Sequence, residues 1–239
     1  MNVCVITDNE FIFSHFIEII KDSNHNFDFY FSSFNKLFLE KYKDNINFKP
    51  IRLNDMDNSF FSVYDLFISL HCKQLFPNEL VDNYRCINVH PGLNPYNRGW
   101  FPQVFSIINK KPIGVTIHEM DRELDHGPII FQEELSISSY DTSLDVYQRI
   151  QDKEIEMIEE HLEEIVTGEY ITHQMPNEGN INFKIDFDRL CEIKLDKKGT
   201  FGEFIDILRA TTFAKYDNAY FVDEQGNKVF ISINLKKSE

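Results

Sequence analysis

The sequence predicts an α/β protein with an open sheet, followed by a small C-terminal appendage of one helix and a β-hairpin. Three observations carry that reading. Short β-branched runs alternate with helix-period segments over residues 3–89, the pattern of strands joined by crossover helices. The run Asp65–Leu70 is apolar enough for a strand buried on both faces. The chain has 239 residues, 42% of them hydrophobic and 23 of them Phe, which suffices for one sizeable aromatic core plus a small tail.

The elements follow in order. Val3–Thr7 reads as the first strand and Phe11–Lys21 as the helix after it. Asn26–Phe31 and Ile46–Ile51 are the next strands, with a helical stretch over Lys36–Lys43 between them. Asp65–Leu70 ends at His71-Cys72-Lys73. Pro77-Asn78-Glu79-Leu80 suits a helix first turn, where proline loses no needed hydrogen bond. Cys86–Val89 is a strand, and a Gly/Pro/Asn-rich loop leads to a helix over Trp100–Asn109. Ile113–Met120 and Pro128–Ser136 are strands joined by the loop Asp121–Gly127. Leu144, Tyr147, Ile155, Ile158, Leu162 and Ile165 recur at three- and four-residue steps, interrupted only at Gln151, so they mark a long helix. Thr142-x-x-Asp145 is a capping box at its start and Gly168 follows its end. Its acidic face near residues 152–164 reads mostly as a solubility feature.

Polar residues at Pro176–Asn182 suggest a linker, placing a domain boundary at residues 178/179. Beyond it, Gly199–Thr211 is helical, and Ala219–Val222 with Lys228–Ile233 form a hairpin. So small a tail is expected to pack on the main domain or on another subunit.

Bulk properties exclude several classes of function. The formal charge of −15 repels a polyanion, which argues against nucleic-acid binding while leaving room for a small anionic ligand. No apolar run reaches membrane-spanning length, and the N-terminus lacks the basic region of a signal peptide. Cys4, Cys72, Cys86 and Cys191 are widely spaced, so reduced thiols in a cytoplasmic protein are expected, with no disulfide and no metal site.

The chemistry concentrates in Ile87-Asn88-Val89-His90-Pro91-Gly92-Leu93-Asn94-Pro95 and in Asp121-Arg122-Glu123-Leu124-Asp125-His126-Gly127-Pro128. Asn88 and His90 are two apart, so on a strand they point to one face. Ligands of open α/β sheets bind beyond the strand C-termini, where His71 and His90 both fall. Asn88 can donate an amide N–H to a developing oxyanion. His90 can take a proton from an attacking amine or stabilise a tetrahedral intermediate, and Asp125 can orient the imidazole or manage protons through water. Such a trio suits acyl transfer onto an amine. By itself, an Asn-x-His pair more often serves packing or turn chemistry.

The ordered set Asn88-Val89-His90-Pro91-Gly92, Gly114-Val115-Thr116-Ile117-His118 and Leu124-Asp125-His126-Gly127-Pro128 resembles the folate-dependent formyltransferases, over roughly residues 60–135. The resemblance implies a Rossmann-like fold, N10-formyltetrahydrofolate as formyl donor, and Asn88, His90 and Asp125 as catalytic residues. Ser69-Leu70-His71-Cys72-Lys73 and Asn94–Pro102 are similar to the sugar N-formyltransferases. That likeness implies a dTDP-4-amino-4,6-dideoxy sugar as acceptor, with dTDP-4-amino-4,6-dideoxyglucose expected first. It also implies a product destined for a surface polysaccharide such as O-antigen, and a homodimer formed through the C-terminal hairpin.

Four further residues suit substrate binding. Lys73 can meet a diphosphate, Trp100 can cover the sugar or pterin, Gln103 can donate hydrogen bonds, and His71 sits at a strand end. Each also has a plainer role: Lys73 as a solvated surface residue, Trp100 as core, His71 as a strand cap. His118 reads as a satisfied structural histidine, and Arg98 as a residue that either pins its own loop or touches phosphate.

Val5-Ile6-Thr7-Asp8-Asn9-Glu10 lacks the Gly/Ser-rich turn of glycinamide ribonucleotide transformylases, which disfavours that activity. A methionyl-tRNA substrate would call for a larger, basic tail. A non-catalytic nucleotide-sugar binding module would have no need of the full Asn/His/Asp set. A metal-dependent hydrolase using His90, His118 and Asp125 lacks a paired ligand motif.

Overall fold

Residues 1–238 are described by a computed structural model. The chain forms two compact units, one of residues 1–90, 115–132 and 151–176, the other of residues 91–114, 133–150 and everything from Asn177 on.

The first unit is built on β1 (Asn2–Thr7), β2 (Asn26–Ser32), β3 (Phe48–Ile51), β4 (Leu66–Leu70) and β5 (Cys86–His90). These join β7 (Ile113–Glu119) and β8 (Ile129–Leu135) in a seven-stranded sheet of order β3-β2-β1-β4-β5-β7-β8. The pairs from β3 through β5 are parallel, and β7 runs antiparallel to β5. Val3–Ile6 of β1 are wholly buried, as are Leu66, Phe67 and Leu70 of β4. Central parallel strands are covered on both faces, which is why their sequences read as continuous apolar runs. The crossover segments are α1 (Glu10–Ile19), α2 (Lys36–Lys41), the single turn α3 (Asn58–Phe61) and α4 (Asn78–Asn83).

Phe13, Phe31, Phe38 and Phe48 pack together between these layers; Phe13 stacks on Phe48 at 4.0 Å and Phe31 meets Phe48 edge-on at 4.9 Å. The expected strand Ile46–Ile51 begins only at Phe48, and Ile46 is exposed. Helix α2 stops at Lys41, two residues short of the expected end.

The second unit holds α5 (Pro102–Asn109), packed against α8 (Phe201–Thr211). Its other elements are the two-residue strands β6 (Arg98–Gly99) and β9 (Ile181–Asn182), the helix α7 (Lys184–Cys191), and the hairpin β10 (Tyr220–Val222)–β11 (Lys228–Phe230). Sequence reading left β9 inside a linker and passed over α7, because two residues carry no periodicity and two turns carry little. Buried Arg209 of α8 donates to the carbonyls of Ser138 and Asp141 and to Asp206, a satisfied buried cation. Helix α6 (Ser143–Thr167) has the expected capping box, Thr142 N–H to Asp145 at 2.8 Å, and ends at Gly168 in the left-handed region. All four cysteines are free thiols, as expected from their spacing.

Asp8 lies buried just beyond the end of β1. Its carboxylate accepts from the backbone N–H of Ser32 (3.1 Å), the Asn35 amide (2.9 Å), the Ser32 hydroxyl and the backbone N–H of Lys73 (2.8 Å). One anion thereby ties the loops after β1, β2 and β4 together. Asp8→Ala leaves these donors without their acceptor and is expected to destabilise the fold by about 2–4 kcal/mol, read from urea unfolding; a change under about 0.5 kcal/mol would show the clasp is idle.

Candidate active site

Strand β5 ends in Asn88-Val89-His90, every residue buried. Period-two alternation puts Asn88 and His90 on one face. Antiparallel pairing with β7 sets His118 opposite Asn88 and Thr116 opposite His90. The amide and the imidazole of that first pair meet: Asn88 Nδ2 lies 3.3 Å from His118 Nε2.

The hydrogen bonds around His118 determine its tautomer. Its Nδ1 lies 2.7 Å from the Glu119 carbonyl oxygen, which can only accept, so Nδ1 carries the proton. Nε2 is then bare and accepts from Asn88. Full burial pushes the imidazole pKa down to about 4, against the opposing pull of Asp125, so the ring is neutral at ordinary pH.

The second N–H of Asn88 goes to Asp125 Oδ1 at 3.0 Å. The same carboxylate oxygen lies 3.6 Å from His90 Nδ1. His90 and His118 face each other edge-on with ring centres 6.3 Å apart. The structure therefore brings together the three residues singled out in the sequence, and adds a fourth, His118.

Asp125 is held from the far side of its loop. Its φ is +46°, a left-handed conformation that a non-glycine residue adopts at a cost. Gly127 has φ +110°, and a Cβ there would lie 2.1 Å from the Glu119 carbonyl oxygen. Within the loop, Asp121 accepts from the Glu123 N–H (2.8 Å) and pairs with the His126 ring.

His71, just beyond β4 with φ +56°, is engaged at both ring nitrogens. Asn9 caps α1 by accepting the Ile12 N–H through Oδ1, so its Nδ2 faces His71 Nδ1 at 3.2 Å. His71 Nε2 then carries a proton and donates to Glu154 of α6, 2.8 Å from both carboxylate oxygens. Glu154 is fully buried, and burial raises its pKa while His71 pulls it back. This triad clasps a strand end to two helices.

Sequence reading missed Glu154 by assigning the carboxylates near 152–164 to the exposed face. Its signal was present: Ile150, Glu154 and Ile158 fall at four-residue steps along the buried stripe. Lys73 is exposed, and its ammonium makes no hydrogen bond or ion pair among the described residues. Trp100 and Gln103 belong to the second unit. Phe101 is left-handed with φ +54° and Pro102 opens α5, so the helix starts two residues after Trp100, which is 46% exposed. Gln103 is buried, and its amide has no hydrogen-bond partner among the described residues.

Residues 51–162 match the family described as Formyl transferase, and residues 186–237 match the N-formyltransferase dimerization C-terminal domain. A dTDP-4-amino-4,6-dideoxyglucose formyltransferase of Mycobacterium tuberculosis is 54% identical over 173 residues, 72% of this chain and 74% of the relative. The chain belongs to the formyltransferase family, on the branch of the sugar N-formyltransferases. A 4-N formyltransferase from Francisella tularensis superimposes on this formyltransferase with a TM-score of 0.95 at 47% identity, covering 99% of this chain and 98% of that one. A sugar N-formyltransferase from Shewanella gives 0.93 at 40% identity, covering 100% and 99%.

Two stability measurements test the site's polar contacts. Glu154→Ala strips half-buried His71 of its acceptor and is expected to cost about 2–4 kcal/mol, whereas Glu154→Gln, which keeps an acceptor oxygen, costs about 1; equal losses in urea unfolding would refute the hydrogen-bond account. For His118, the folded pKa of about 4 lies below the ordinary 6.5, so the unfolded chain takes up a proton first as pH falls. Its contribution is present above pH 6.5 and is lost progressively down to about pH 4. His118→Gln is expected to flatten that part of the stability–pH curve by up to roughly 3 kcal/mol; an unchanged curve would contradict it.

Proposed function

We propose that this protein transfers the formyl group of N10-formyltetrahydrofolate to the C4 amine of a dTDP-4-amino-4,6-dideoxy sugar, with dTDP-4-amino-4,6-dideoxyglucose as the acceptor. The observation that carries the reading is the meeting of Asn88, His90 and Asp125 at the end of β5. Family membership supports the reaction class, and the relative's activity on dTDP-4-amino-4,6-dideoxyglucose supports the acceptor.

The chemistry follows from the groups present. The unprotonated amine attacks the formyl carbon, a C–N bond forms, and the carbonyl oxygen becomes an oxyanion. Asp125 takes a proton from the newly cationic nitrogen. The Asn88 N–H that Asp125 held is thereby released to the oxyanion, which His90 also stabilises. The carbon–N10 bond then breaks, and the proton passes through Asp125 and His90 to N10, releasing tetrahydrofolate and the formamido sugar. His90 and Asp125 need only shorten their 3.6 Å separation slightly when substrate closes the site.

Lys73, with its exposed ammonium, is assigned to the diphosphate, and Trp100 to a stacking surface. Gln103, with its buried unbonded amide, is assigned a polar contact to substrate. Asp8 supports this reading over a ribonucleotide phosphate acceptor, because its carboxylate already occupies the turn after β1. Residues 179–239 are assigned to homodimer formation, which the match to the dimerization domain supports. A formamido sugar of this kind suits incorporation into a surface polysaccharide such as O-antigen, after synthesis in the cytoplasm. No helix among the described residues is long and apolar enough to cross a membrane.

Incubation with N10-formyltetrahydrofolate and a panel of dTDP-amino sugars is expected to add one formyl mass to the 4-amino-4,6-dideoxyglucose compound. Asn88→Ala, His90→Asn and Asp125→Asn should each lower turnover by about 10²-fold or more with the fold intact. Activity is expected to persist in excess chelator. A wild-type protein that formylates no member of the panel would refute the assignment.

A further inference from the structure

We propose that His118 is a positioning residue: its bare Nε2 fixes which way round the Asn88 amide sits, so that an N–H rather than the carbonyl oxygen faces the reacting formyl oxygen. The inference rests on the formyl-transfer reading above.

The two ends of an asparagine amide are nearly identical in shape, so hydrogen bonds alone choose between them. Two groups make that choice for Asn88. Asp125 Oδ1 accepts one N–H at 3.0 Å, and His118 Nε2 accepts the other at 3.3 Å. Asp125 holds the amide only while it is a carboxylate. At the step where it takes the proton of the attacking nitrogen, it gains an O–H that can donate, and the electrostatic preference for Nδ2 weakens. That is the step at which the oxyanion is most charged and most needs the N–H.

His118 has no such freedom. Its Nδ1–H is committed to the Glu119 backbone carbonyl at 2.7 Å, and β5–β7 pairing fixes the ring opposite Asn88. Its other nitrogen is therefore an acceptor throughout the reaction. A flipped amide would set Asn88 Oδ1 against that lone pair. Burial holds the ring unprotonated at working pH, so it never offers an N–H to the wrong end of the amide.

Two substitutions and one spectrum test this. His118→Gln can place an acceptor oxygen near the lost Nε2; His118→Leu has none. In His118→Leu, kcat is expected to fall about 10–100-fold while KM for donor and acceptor stays within about 3-fold, because the lost contact acts in the transition state. His118→Gln should recover at least about a third of wild-type kcat. Circular dichroism and urea unfolding separate a misfolded variant from a folded, slow one.

A folded His118→Leu within about 2-fold of wild-type kcat overturns the proposal, as does a folded His118→Gln no faster than it. If the leucine variant does not fold, the glutamine variant and the spectrum still decide. The ¹⁵N imidazole spectrum of the wild type should show His118 protonated at Nδ1 alone; protonation at Nε2 overturns the proposal even in an active enzyme. The Nδ1–H tautomer in a wild type that transfers no formyl group would instead overturn the function reading, and the catalytic part of this one with it.

Discussion

The antiparallel register of β7 on β5 decides which side chains meet around Asn88. It sets His118 opposite Asn88, and it returns the chain so that the Asp121–Gly127 loop closes over the same strand end. Side chains alternate along a strand, so a slip of one residue would turn His118 to the opposite face and leave Asn88 without its acceptor. The rest of the sheet is parallel from β3 to β5, and parallel pairing delivers only strand C-termini to the site. The antiparallel return supplies His118, the penultimate residue of β7, there as well. Gly127 is needed for the same reason: the loop passes so close to the Glu119 carbonyl that no side chain fits.

Three carboxylates in this unit, Asp8, Asp125 and Glu154, have little or no exposure. Asp8 is held by backbone and amide N–H groups, Glu154 by His71, and Asp125 by Asn88 with His90 nearby. Backbone, amide, hydroxyl and imidazole groups, rather than lysine or arginine, meet these oxygens. For Glu154 that leaves burial as the larger influence, and its pKa rises. Asp8 and Glu154 are structural, and both tie down loops that leave adjacent strands. Asp125 is the one placed on a strained loop beside two other ionisable or amide side chains at a strand end, the setting in which a carboxylate does chemistry.

Much of this was legible in the sequence because it rests on local rules. The strand runs, the Asn88-x-His90 spacing, the Thr142 capping box and the Gly168 stop all follow from period, face and turn chemistry. The convergence of Asp125 on Asn88 was reachable only through resemblance, since nothing local says which strand end a distant loop will cover. His118 was read as a satisfied histidine, which is accurate for its Nδ1. What periodicity could not show is that its second nitrogen meets Asn88, because that depends on inter-strand register. Glu154 was lost for the opposite reason: its place on the apolar stripe was visible, but a carboxylate there looks like an error in the pattern until its histidine partner is found. Trp100 and the start of α5 differ by two residues because Phe101 takes a left-handed conformation that no propensity forecasts.

The neutrality of His118 also bears on the nucleophile. An amine attacks only without its proton, and a positive charge beside the site would repel its approach as the bond forms and the nitrogen turns cationic. An imidazolium in place of His118 would add such a charge and would also turn the Asn88 amide around. A carboxylate has the contrary effect: in the proposed reaction Asp125 would attract the developing cation, and the nitrogen becomes acidic enough to surrender its proton only once the C–N bond exists. On the proposed mechanism, a carboxylate beside a histidine that burial keeps neutral favours the charge pattern of the transition state over that of either reactant.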